Sequence, residues 1–431
     1  MDALISAGGK GTRLIELTGD VIPKPMAKIS GKPVIERAVE RLSKYGIKKI
    51  YISVGHLAEK ITSYLKNGEK WGVEIEYITE NEPLGSGGAL YYLKGKVNGD
   101  FVVCSGDTVF DVDLSKMNAY HKRRKALVTM LTHPNAHPYD SDVIICDRFN
   151  RVKGISKKNE HQGFYPNNVN AGFFIINSKA LDYFDQPKKV NLEHDFILSH
   201  INQNSRVYAY KSPEYVKDVG SPQRFFNAEK DIERGLVEAR NLSKKQKAIF
   251  LDRDGTINEY NGFINTPDGL NLVSDACEAI KKINDSGYLA IVISNQPVIA
   301  RGEATRGQVE EIFNKMQTLL GQGGAFVDGI FYCPHHPKSG FKGEVKRLKK
   351  DCDCRKPKIG MLLSAQKRFN LDLSKCVMVG DSELDVLTAN NANIPCVKVK
   401  SDLKEKATAI PTAYAETLSD AVAYILDNFK Y

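Results

Sequence analysis

The chain has 431 residues, 42% of them hydrophobic and 26% charged, so it can bury more than one core of about 100 to 200 residues, and we expect two domains. Lys and Arg number 61 against 52 Asp and Glu, which gives a formal charge of +9 that is spread along the chain and suits phosphorylated ligands. The chain lacks basic runs interleaved with aromatic residues, which argues against nucleic-acid binding. Asp2 stands where a secretion signal needs positive charge, and no apolar stretch approaches the roughly 18 residues that span a bilayer, so we expect a cytoplasmic protein with no membrane partner.

Strand-like and helical patterns alternate along the chain, which is typical of α/β proteins. In the first half, apolar runs predict strands at 49–54, 101–105, 126–131 and 171–176, and the spacing of apolar residues predicts a helix over 34–45. A charged stretch at 227–234 and a polar segment at 241–247 interrupt the alternation, so we place the boundary near residue 245. The second half predicts strands at 248–251, 289–293, 329–332 and 377–379 and a helix at 309–320. The predicted domains are 1–240 and 247–431.

A glycine-rich loop, Gly8-Gly9-Lys10-Gly11-Thr12-Arg13, follows the predicted first strand. Closely spaced glycines let backbone N–H groups approach phosphate oxygens while the loop cations supply charge, although a tight strand-to-helix turn would use the same residues. Soon afterwards, two prolines stiffen the backbone around Lys24 in Pro23-Lys24-Pro25-Met26. A rigidly held ammonium beside such a loop indicates a site for a nucleoside triphosphate.

In this order the motifs resemble the sugar-phosphate nucleotidyltransferases, over about residues 1–230. Further matching segments are Gly31-Lys32-Pro33, 83–90, Gly106-Asp107, Asn170-Ala171-Gly172, 192–195 and 217–222. The resemblance implies a Rossmann-like domain in which a sugar 1-phosphate attacks the α-phosphorus of the triphosphate without a covalent intermediate.

The resemblance also implies roles for individual residues. Arg13 and Lys24 would bind the triphosphate, and Asp107 and Asp218 would hold Mg²⁺. The implied nucleotide contacts are Gly8, Gly9, Gly11, Thr12, Gly85 and Gly88. Asn170 and Glu193 would contact sugar hydroxyls, and Lys158 would reach the sugar phosphate. The family's frequent Glu-Lys-Pro reads Lys157-Lys158-Asn159 here, which leaves the choice between the two lysines open.

In the second half, Asp252 and Asp254 directly follow a predicted strand. Asp252 can attack phosphorus, and Asp254 can protonate the leaving oxygen of a sugar ester. Later strands are followed by groups that can assist: Ser294-Asn295, Arg355-Lys356 and Asp381. Asp252, Asp381 and the main-chain carbonyl of Asp254 would bind Mg²⁺. The metal would neutralise negative charge, so that the Asp252 carboxylate can approach the phosphate group.

This four-part pattern resembles the haloacid-dehalogenase (HAD) phosphatases, which predicts a HAD-like α/β domain after the Rossmann-like one. The resemblance is strongest to the D-glycero-D-manno-heptose 1,7-bisphosphate phosphatases, over about residues 247–400. It implies that Ser294, Arg355 and Lys356 stabilise the transition state, and that 260–263 together with Asn295, Gln296 and Pro297 line the substrate site. The chain departs from the family at Pro297-Val298 and at Ser382, where a lysine is usual, so its substrate preference could differ.

Three cysteines and a histidine, Cys333, His335, Cys352 and Cys354, predict a zinc loop. Four protein ligands suit tetrahedral Zn²⁺ and leave no open position, which favours a structural role, although free thiols are the alternative. His336 is the competing ligand, and the family pattern uses the first histidine. The basic run at 342–350 is either a solvated loop face or an attraction for a bisphosphate.

Together the resemblances predict a bifunctional enzyme of nucleotide-activated heptose biosynthesis with Mg²⁺ and Zn²⁺ as cofactors. One half would hydrolyse the 7-phosphate of a heptose 1,7-bisphosphate, and the other would transfer a guanylyl group from GTP to heptose 1-phosphate, giving GDP-heptose for a surface polysaccharide. Two alternatives stay open. One joins a histidinol-phosphate phosphatase to a mannose or glucose 1-phosphate nucleotidyltransferase, and the other makes the first half a non-catalytic nucleotide-binding module. The nucleotide, the anomer and the oligomeric state are undetermined.

Overall fold

The computed structural model describes residues 1–9, 14, 17, 19, 21–80, 82–400 and 408–429. The chain divides into two compact units. The first consists of Met1–His133, Ile144–Ser156 and Asn170–Asn241, and the second of Pro134–Val143, Lys157–Val169 and Leu242–Tyr431. None of the helices in the described part of the chain has the length and hydropathy needed to cross a membrane.

Strands and helices alternate up to residue 241. The strands are β1 (Asp2–Ala7), β2 (Lys28–Ile29), β3 (Lys32–Pro33), β4 (Lys49–Val54), β5 (Glu74–Thr79), β6 (Asp100–Ser105), β7 (Thr108–Asp111), β8 (Val128–His133), β9 (Val143–Cys146), β10 (Val152–Ser156), β11 (Val169–Asn177), β12 (Val207–Lys211) and β13 (Tyr215–Asp218). The helices are α1 (Val34–Lys44), α2 (Ala58–Leu65), α3 (Leu114–Arg124), α4 (Leu198–Asn202), α5 (Pro222–Glu233) and α6 (Leu236–Ala239). A π-helix covers Leu192–Ile197, and short 3₁₀ helices include Lys24–Met26 and Gly88–Leu93.

Within the described residues, nine of these strands form one mixed sheet in the order β10-β9-β11-β6-β1-β4-β5, with β8 joining β11 to β12. β1 is parallel to β4 and β6 and is apolar on both faces, as expected of a central strand covered on both sides. Ile5 belongs to the core cluster that includes Ile35 of α1, and Leu4 to the cluster that includes Phe174. The parallel arrangement brings the carboxyl ends of β1 and β6 to one edge of the sheet, where ligands of such folds bind.

The second unit contains a six-stranded sheet among its described residues, with the order β16-β15-β14-β17-β18-β19. Its strands are β14 (Ala248–Leu251), β15 (Leu289–Asn295), β16 (Gly329–Cys333), β17 (Val377–Gly380), β18 (Cys396–Val399) and β19 (Ala413–Ala415). Its helices are α7 (Ala276–Asp285), α8 (Val298–Arg301), α9 (Arg306–Gln322), α10 (Gly360–Phe369), α11 (Glu383–Asn391) and α12 (Leu418–Asn428). All five strand pairs are parallel, so the segments after β14, β15 and β17 meet at one edge.

The second unit also takes in two segments from earlier in the chain, which bind to α9. The main-chain N–H of Tyr165 donates to Thr318 Oγ1 at 3.1 Å, and that of Asn167 donates to Gln317 Oε1 at 3.2 Å. Thr318 Oγ1 also donates to the carbonyl of Tyr165 at 3.3 Å. These contacts use polar side chains of the helix. The second compact unit therefore contains residues 134–143 and 157–169 in addition to the predicted domain 247–431.

Candidate active sites and metal centre

Three buried carboxylates meet at the carboxyl edge of the six-stranded sheet. Asp252 follows β14, Asp381 follows β17 and Asp385 lies in the first turn of α11, and their oxygens lie within 4.8 Å of one another. We call these three the carboxylate cluster. Gly255 makes the approach possible, because its φ of +80° suits glycine and an added Cβ would overlap the carboxylate of Asp381.

Lys356 supplies the positive charge inside this cluster. Its ammonium lies 2.8 Å from Asp252 Oδ1 and 2.6 Å from Asp385 Oδ1, and the lysine side chain is 2% exposed. Burial raises the pKa of Asp252 to about 8, the charge of Asp385 adds to the rise, and Lys356 opposes it. Burial disfavours the charged form of Lys356, but Asp252 and Asp385 outweigh it and raise the pKa of the lysine.

The cluster fits a divalent cation. Three buried carboxylates against one ammonium leave uncompensated negative charge, and an ionised Asp252 requires more positive charge than Lys356 provides. Oxygen ligands of this kind are those that Mg²⁺ binds, and HAD phosphatases use Mg²⁺. Asp385 was not assigned a role from the sequence, because spacing does not tell which of the several acids that follow the strand points inward.

Asp254 lies beside the cluster and accepts hydrogen bonds from three side chains, one of which is Asn258 Nδ2 at 3.3 Å. Its carboxylate accepts from Arg253 Nε at 3.0 Å and Nη2 at 2.5 Å, and from Gln296 Nε2 at 3.1 Å. Gln296 Nε2 also donates to Ser294 Oγ at 2.8 Å, so the loop after β15 is tied to the loop after β14. The contact with Arg253 places a buried guanidinium beside the Asp254 carboxylate and fixes its orientation.

Asn295 joins the β15 loop to the segment that carries the cations. Its Nδ2 donates to the carbonyl of Lys356 at 3.2 Å, and the N–H of Lys356 donates back to Asn295 Oδ1 at 3.0 Å. Arg355, the residue before, donates through Nη1 to the carbonyl of His335 at 3.2 Å. The sequence-predicted residues of the second half are therefore linked by a continuous set of contacts.

Cys333, His335, Cys352 and Cys354 form a compact cluster, which we call the thiolate cluster. The three sulfur–sulfur distances are 3.3, 3.4 and 3.5 Å, and His335 Nδ1 lies 3.3 Å from Cys354 Sγ and 3.7 Å from Cys333 Sγ. A disulfide would bring two sulfurs to about 2.0 Å. Four ligands around one Zn²⁺ with bonds of about 2.3 Å would be separated by about 3.7 Å. The cluster thus has the dimensions of a tetrahedral metal site.

In the first unit, Lys24 and the two predicted metal-binding acids are close together. Lys24 Nζ donates to Asp107 Oδ2, and the N–H of Val219, next to Asp218, donates to the carbonyl of Asp107 at 2.9 Å. Arg224 Nη1 donates to Asp218 Oδ2 at 2.8 Å. Burial raises the pKa of Asp218, but Arg224, Lys24 and the N–H of Gly220 outweigh it, so the net shift is downward. Each carboxylate is held by a cation, and Mg²⁺ would compete with those contacts.

The predicted nucleotide loop is described in part. Gly8 and Gly9 follow β1, whereas Gly11, Thr12 and Arg13 lie outside the described residues. The carboxylate of Glu80 lies against Gly8, where a Cβ would contact Glu80 Oε1 at 2.9 Å. Glu80 Oε2 also accepts from the N–H of Leu84 at 3.1 Å. Nothing in the sequence distinguishes Glu80, because a lone acid after a strand is not part of a recognisable motif.

The second glycine-rich segment packs tightly against other backbone. Gly85 has a φ of +76°, and a side chain there would overlap the carbonyl oxygen of Val190. Gly88 is equally confined, by the side chain of Leu84 and the carbonyl of Lys188. Both glycines therefore let the loop lie close to the segment that leads into the π-helix.

The two predicted sugar-binding residues touch each other. Asn170 Nδ2 donates to Glu193 Oε1 at 3.1 Å, and Asn170 Oδ1 accepts from the N–H of Gly172 at 3.2 Å. Lys158 belongs to the second unit, where its ammonium lies 3.6 Å from Asp140 Oδ1 and its N–H donates to Asp142 Oδ1 at 3.0 Å. The structure joins the first two residues and does not group Lys158 with them.

Comparison with known proteins identifies both parts. The nucleotidyl transferase family matches residues 2–235, and the HAD-hydrolase-like family matches residues 353–421. The D-glycero-β-D-manno-heptose-1,7-bisphosphate 7-phosphatase of Salmonella typhi is 39% identical over 153 residues, which cover 36% of this chain and 79% of the relative. The enzyme of that name from Vibrio cholerae is 34% identical over 182 residues, or 42% of this chain and 96% of the relative. The crystal structure of HddC from Yersinia pseudotuberculosis covers 54% of this chain and 99% of its own, with 29% identity and a TM-score of 0.47.

Proposed function

Because the chain belongs to the nucleotidyl transferase family and to the family of the heptose 1,7-bisphosphate 7-phosphatases, we propose that it catalyses two consecutive steps of nucleotide-activated heptose synthesis. Residues 247–431 would remove the 7-phosphate of D-glycero-D-manno-heptose 1,7-bisphosphate. Residues 1–240 would then transfer a guanylyl group from GTP to the heptose 1-phosphate and release pyrophosphate. The first product is a sugar 1-phosphate, which is the class of substrate that such a transferase consumes.

The phosphatase step is supported above all by Asp252, a buried carboxylate held by Lys356 at the centre of the carboxylate cluster. Asp252 would attack phosphorus and form an aspartyl phosphate, while Asp254 protonates the departing sugar oxygen. Lys356, Ser294 and Arg355 would stabilise the transferring phosphoryl group. Asp254 would then take a proton from water, which hydrolyses the aspartyl phosphate. Asp252, Asp381 and the main-chain carbonyl of Asp254 would hold Mg²⁺, with Asp385 beside them, and the metal would neutralise negative charge between nucleophile and substrate.

The transferase step is supported by the position of Lys24, whose backbone lies between two prolines and whose ammonium donates to Asp107. Lys24 and Arg13 would stabilise the charge that develops on the triphosphate as the sugar phosphate attacks. Asp107 and Asp218 would hold a second Mg²⁺, and Asn170 with Glu193 would bind sugar hydroxyls. Lys158 stays a candidate for the sugar phosphate, and its place in the second unit gives this role no support.

The proposed choice of guanine is supported by Glu80. Guanine presents two neighbouring N–H donors on its Watson–Crick edge, and one carboxylate can accept both. Glu80 is the acid that lies against Gly8 at the start of the nucleotide loop. A Glu80→Gln variant should lower kcat/KM for GTP about tenfold or more while changing that for UTP or ATP less. An equal loss for all nucleotides would remove this support for GTP.

The thiolate cluster would hold structural Zn²⁺ and fix the loop that ends in Arg355 and Lys356. Four protein ligands complete a tetrahedral coordination shell, so the metal would have no position open to substrate. Cys354 directly precedes Arg355, and Arg355 donates to the carbonyl of His335. The metal would therefore act through the orientation of the phosphate-binding cations.

Two separate assays test the proposal. Phosphate release is measured with the α- and β-anomers of heptose 1,7-bisphosphate, and pyrophosphate release with GTP and heptose 1-phosphate, both with Mg²⁺. A Lys24→Met variant should lose pyrophosphate release and keep phosphate release, which distinguishes a transferase defect from general misfolding. Absence of phosphate release with both anomers would refute the substrate assignment, and turnover of histidinol phosphate instead would favour the alternative phosphatase.

A further inference from the structure

Two segments that lie between strands of the nine-stranded sheet belong to the second unit. Residues 134–143 follow β8, and residues 157–169 run from the end of β10 to the start of β11. β8, β10 and β11 are all members of the nine-stranded sheet. The chain therefore leaves the first unit twice and returns each time, and Asn170 is the residue at which it returns from the second excursion.

The segment 157–169 is held to α9 by the hydroxyl of Thr318. Thr318 Oγ1 accepts from the N–H of Tyr165 at 3.1 Å and donates to the carbonyl of the same residue at 3.3 Å. Gln317 Oε1 accepts from the N–H of Asn167 at 3.2 Å. Thr318 is 5% exposed, so water is poorly placed to replace its hydroxyl if that group is removed.

Residues 134–143 complete the contact with α9. Asn135 and Asn167 exchange two hydrogen bonds, from the N–H of Asn135 to Asn167 Oδ1 at 3.0 Å and from Asn167 Nδ2 to the carbonyl of Asn135 at 2.7 Å. Pro138 lies against Gly321 of α9, where an added Cβ would overlap the proline ring. The two segments therefore hold each other, and both are fitted to the surface of this one helix.

The anchored part of the chain ends just before a proposed substrate residue. Asn167 and Asn168 are both buried, and β11 begins at the next residue. Asn170, in that strand, donates through Nδ2 to Glu193 Oε1 at 3.1 Å. The position of Asn170 depends on where the residues before it are held, and hydrogen bonds to α9 hold them. A shift of about 1 Å in a substrate-binding residue is enough to impair catalysis.

We propose that Thr318 and Gln317 of α9 are positioning residues for the transferase reaction. They would fix the segment 157–169 and, through it, the side chain of Asn170 that binds the sugar 1-phosphate. This inference rests on the proposed function and deepens it, because binding of the sugar 1-phosphate, but not of GTP, would depend on a helix that follows the phosphatase nucleophile in the chain. Both residues would act through Asn170, and neither takes part in a bond that is made or broken.

The test measures pyrophosphate release by full-length protein while GTP and heptose 1-phosphate are varied in turn. Thr318→Val keeps the shape of the side chain and leaves the N–H and the carbonyl of Tyr165 unpaired. It should raise KM for heptose 1-phosphate about threefold to thirtyfold, and change KM for GTP and phosphate release from heptose 1,7-bisphosphate less than about twofold. Thr318→Ser, which retains the hydroxyl, should return KM to within about twofold of the wild-type value.

Thr305→Val is the matched control. Thr305 caps the opposite end of α9, where its Oγ1 accepts from the N–H of Gln308 at 3.2 Å, so the same substitution there weakens the helix away from the docked segments. It should leave KM for heptose 1-phosphate unchanged. An equal rise in both valine variants, no rise in Thr318→Val, or an equal rise in KM for GTP would overturn the proposal. Should Thr318→Val fail to fold, Gln317→Met, which removes the acceptor for Asn167, is held to the same criteria.

The choice of substrates separates this inference from the proposed function. If wild-type protein releases no pyrophosphate from GTP and heptose 1-phosphate, the proposed function is wrong, and the variants are measured with mannose 1-phosphate and GTP or with glucose 1-phosphate and UTP. A rise in KM for the sugar phosphate in Thr318→Val and not in Thr305→Val would then retain the positioning role. Equal KM values in Thr318→Val and wild type, or no turnover of any pair by wild type, would refute it.

Discussion

Asp252 combines two properties that are hard to reconcile in one side chain. It must be ionised to attack phosphorus, yet burial raises its pKa to about 8, with Asp385 adding to the rise. Lys356 opposes the shift, and Mg²⁺ held by the carboxylate cluster would oppose it further. A carboxylate that is buried but electrostatically compensated is poorly solvated and therefore a better nucleophile than an exposed one.

An Asp252→Asn variant separates the two activities. The amide has nearly the same shape and cannot form an acyl phosphate by direct attack, so phosphate release should fall by about three orders of magnitude or more. Pyrophosphate release from GTP and heptose 1-phosphate should stay within about twofold of wild type, because Asp252 lies in the second unit. Both rates are measured on one preparation, and a matched fall in the two would contradict the assignment.

Individual site residues were best predicted from the sequence where they form ordered motifs. Asp252, Asp381 and the three cysteines were identified from their motifs, and the resemblance favoured His335 over His336. The structure brings each set together. Glu80 was not assigned a role, because what distinguishes it is its contact with Gly8. Such properties arise from tertiary packing and leave no periodic signal in the sequence.

The loop that carries the thiolate cluster has little regular secondary structure of its own, so we expect its conformation to depend on a bound metal. Between Cys333 and Cys354 the chain has a single short 3₁₀ helix, Lys346–Leu348. The four potential ligands of this segment approach one another within hydrogen-bonding distances of sulfur. Removing a structural metal from such a loop removes the main constraint on its fold. The cations that follow it, Arg355 and Lys356, would lose their fixed orientation.

Metal removal should therefore affect the two activities unequally. After chelation of Zn²⁺ and dialysis into Mg²⁺ buffer, phosphate release should fall at least about tenfold while pyrophosphate release stays near its starting value. Metal analysis should find about one Zn²⁺ per chain before chelation, and a Cys352→Ser variant should contain less. Full phosphatase activity in zinc-free protein would contradict the structural role.

Helix α4 makes the stability of the first unit dependent on pH through His200. The imidazole is 6% exposed and packs against Phe196 with a centroid distance of 4.8 Å. Burial lowers the pKa of His200, and a hydrogen bond to the carbonyl of Ala180 only partly opposes this. The unfolded chain then binds a proton at higher pH than the folded chain, so the stabilisation is present above about pH 6.5 and is lost as pH falls through the folded pKa.

The expected result is a lower midpoint of urea unfolding at pH 5.5 than at pH 7.5, followed by a probe in the first unit. A His200→Phe variant, which keeps the aromatic packing, should show a smaller decrease over the same range. An identical decrease in wild type and variant would show that other groups cause the pH dependence.

The elements themselves were largely predictable. Predicted strands at 49–54 and 248–251 coincide with β4 and β14, and the helix predicted at 309–320 lies within α9. The attachment of 134–143 and 157–169 to the second unit was not foreseen. Those segments contact α9 through hydrogen bonds such as Tyr165 to Thr318, and hydrophobic periodicity does not report polar contacts between residues distant in sequence.

For the whole molecule, a nucleotidyltransferase and a HAD-type phosphatase in one chain constrain each other's substrates. The family comparisons confirm the predicted α/β fold class and the enzymatic nature of both parts. A fold alone does not determine function. Under the proposed function the phosphatase releases a sugar 1-phosphate and the transferase consumes one, so the substrates must satisfy both sites. The assignment of a heptose as the sugar rests on the phosphatase relatives. Guanylyl transfer is part of the proposed function.

The most direct test of the central claim is a phosphorus NMR time course of the full chain with heptose 1,7-bisphosphate, GTP and Mg²⁺, run separately for the two anomers. The proposed function predicts that the 7-phosphate resonance disappears first, with release of inorganic phosphate, and that diphosphate resonances of a GDP-sugar and pyrophosphate then appear. An unchanged spectrum with both anomers, or phosphate release never followed by a sugar diphosphate, would contradict consecutive catalysis by this chain.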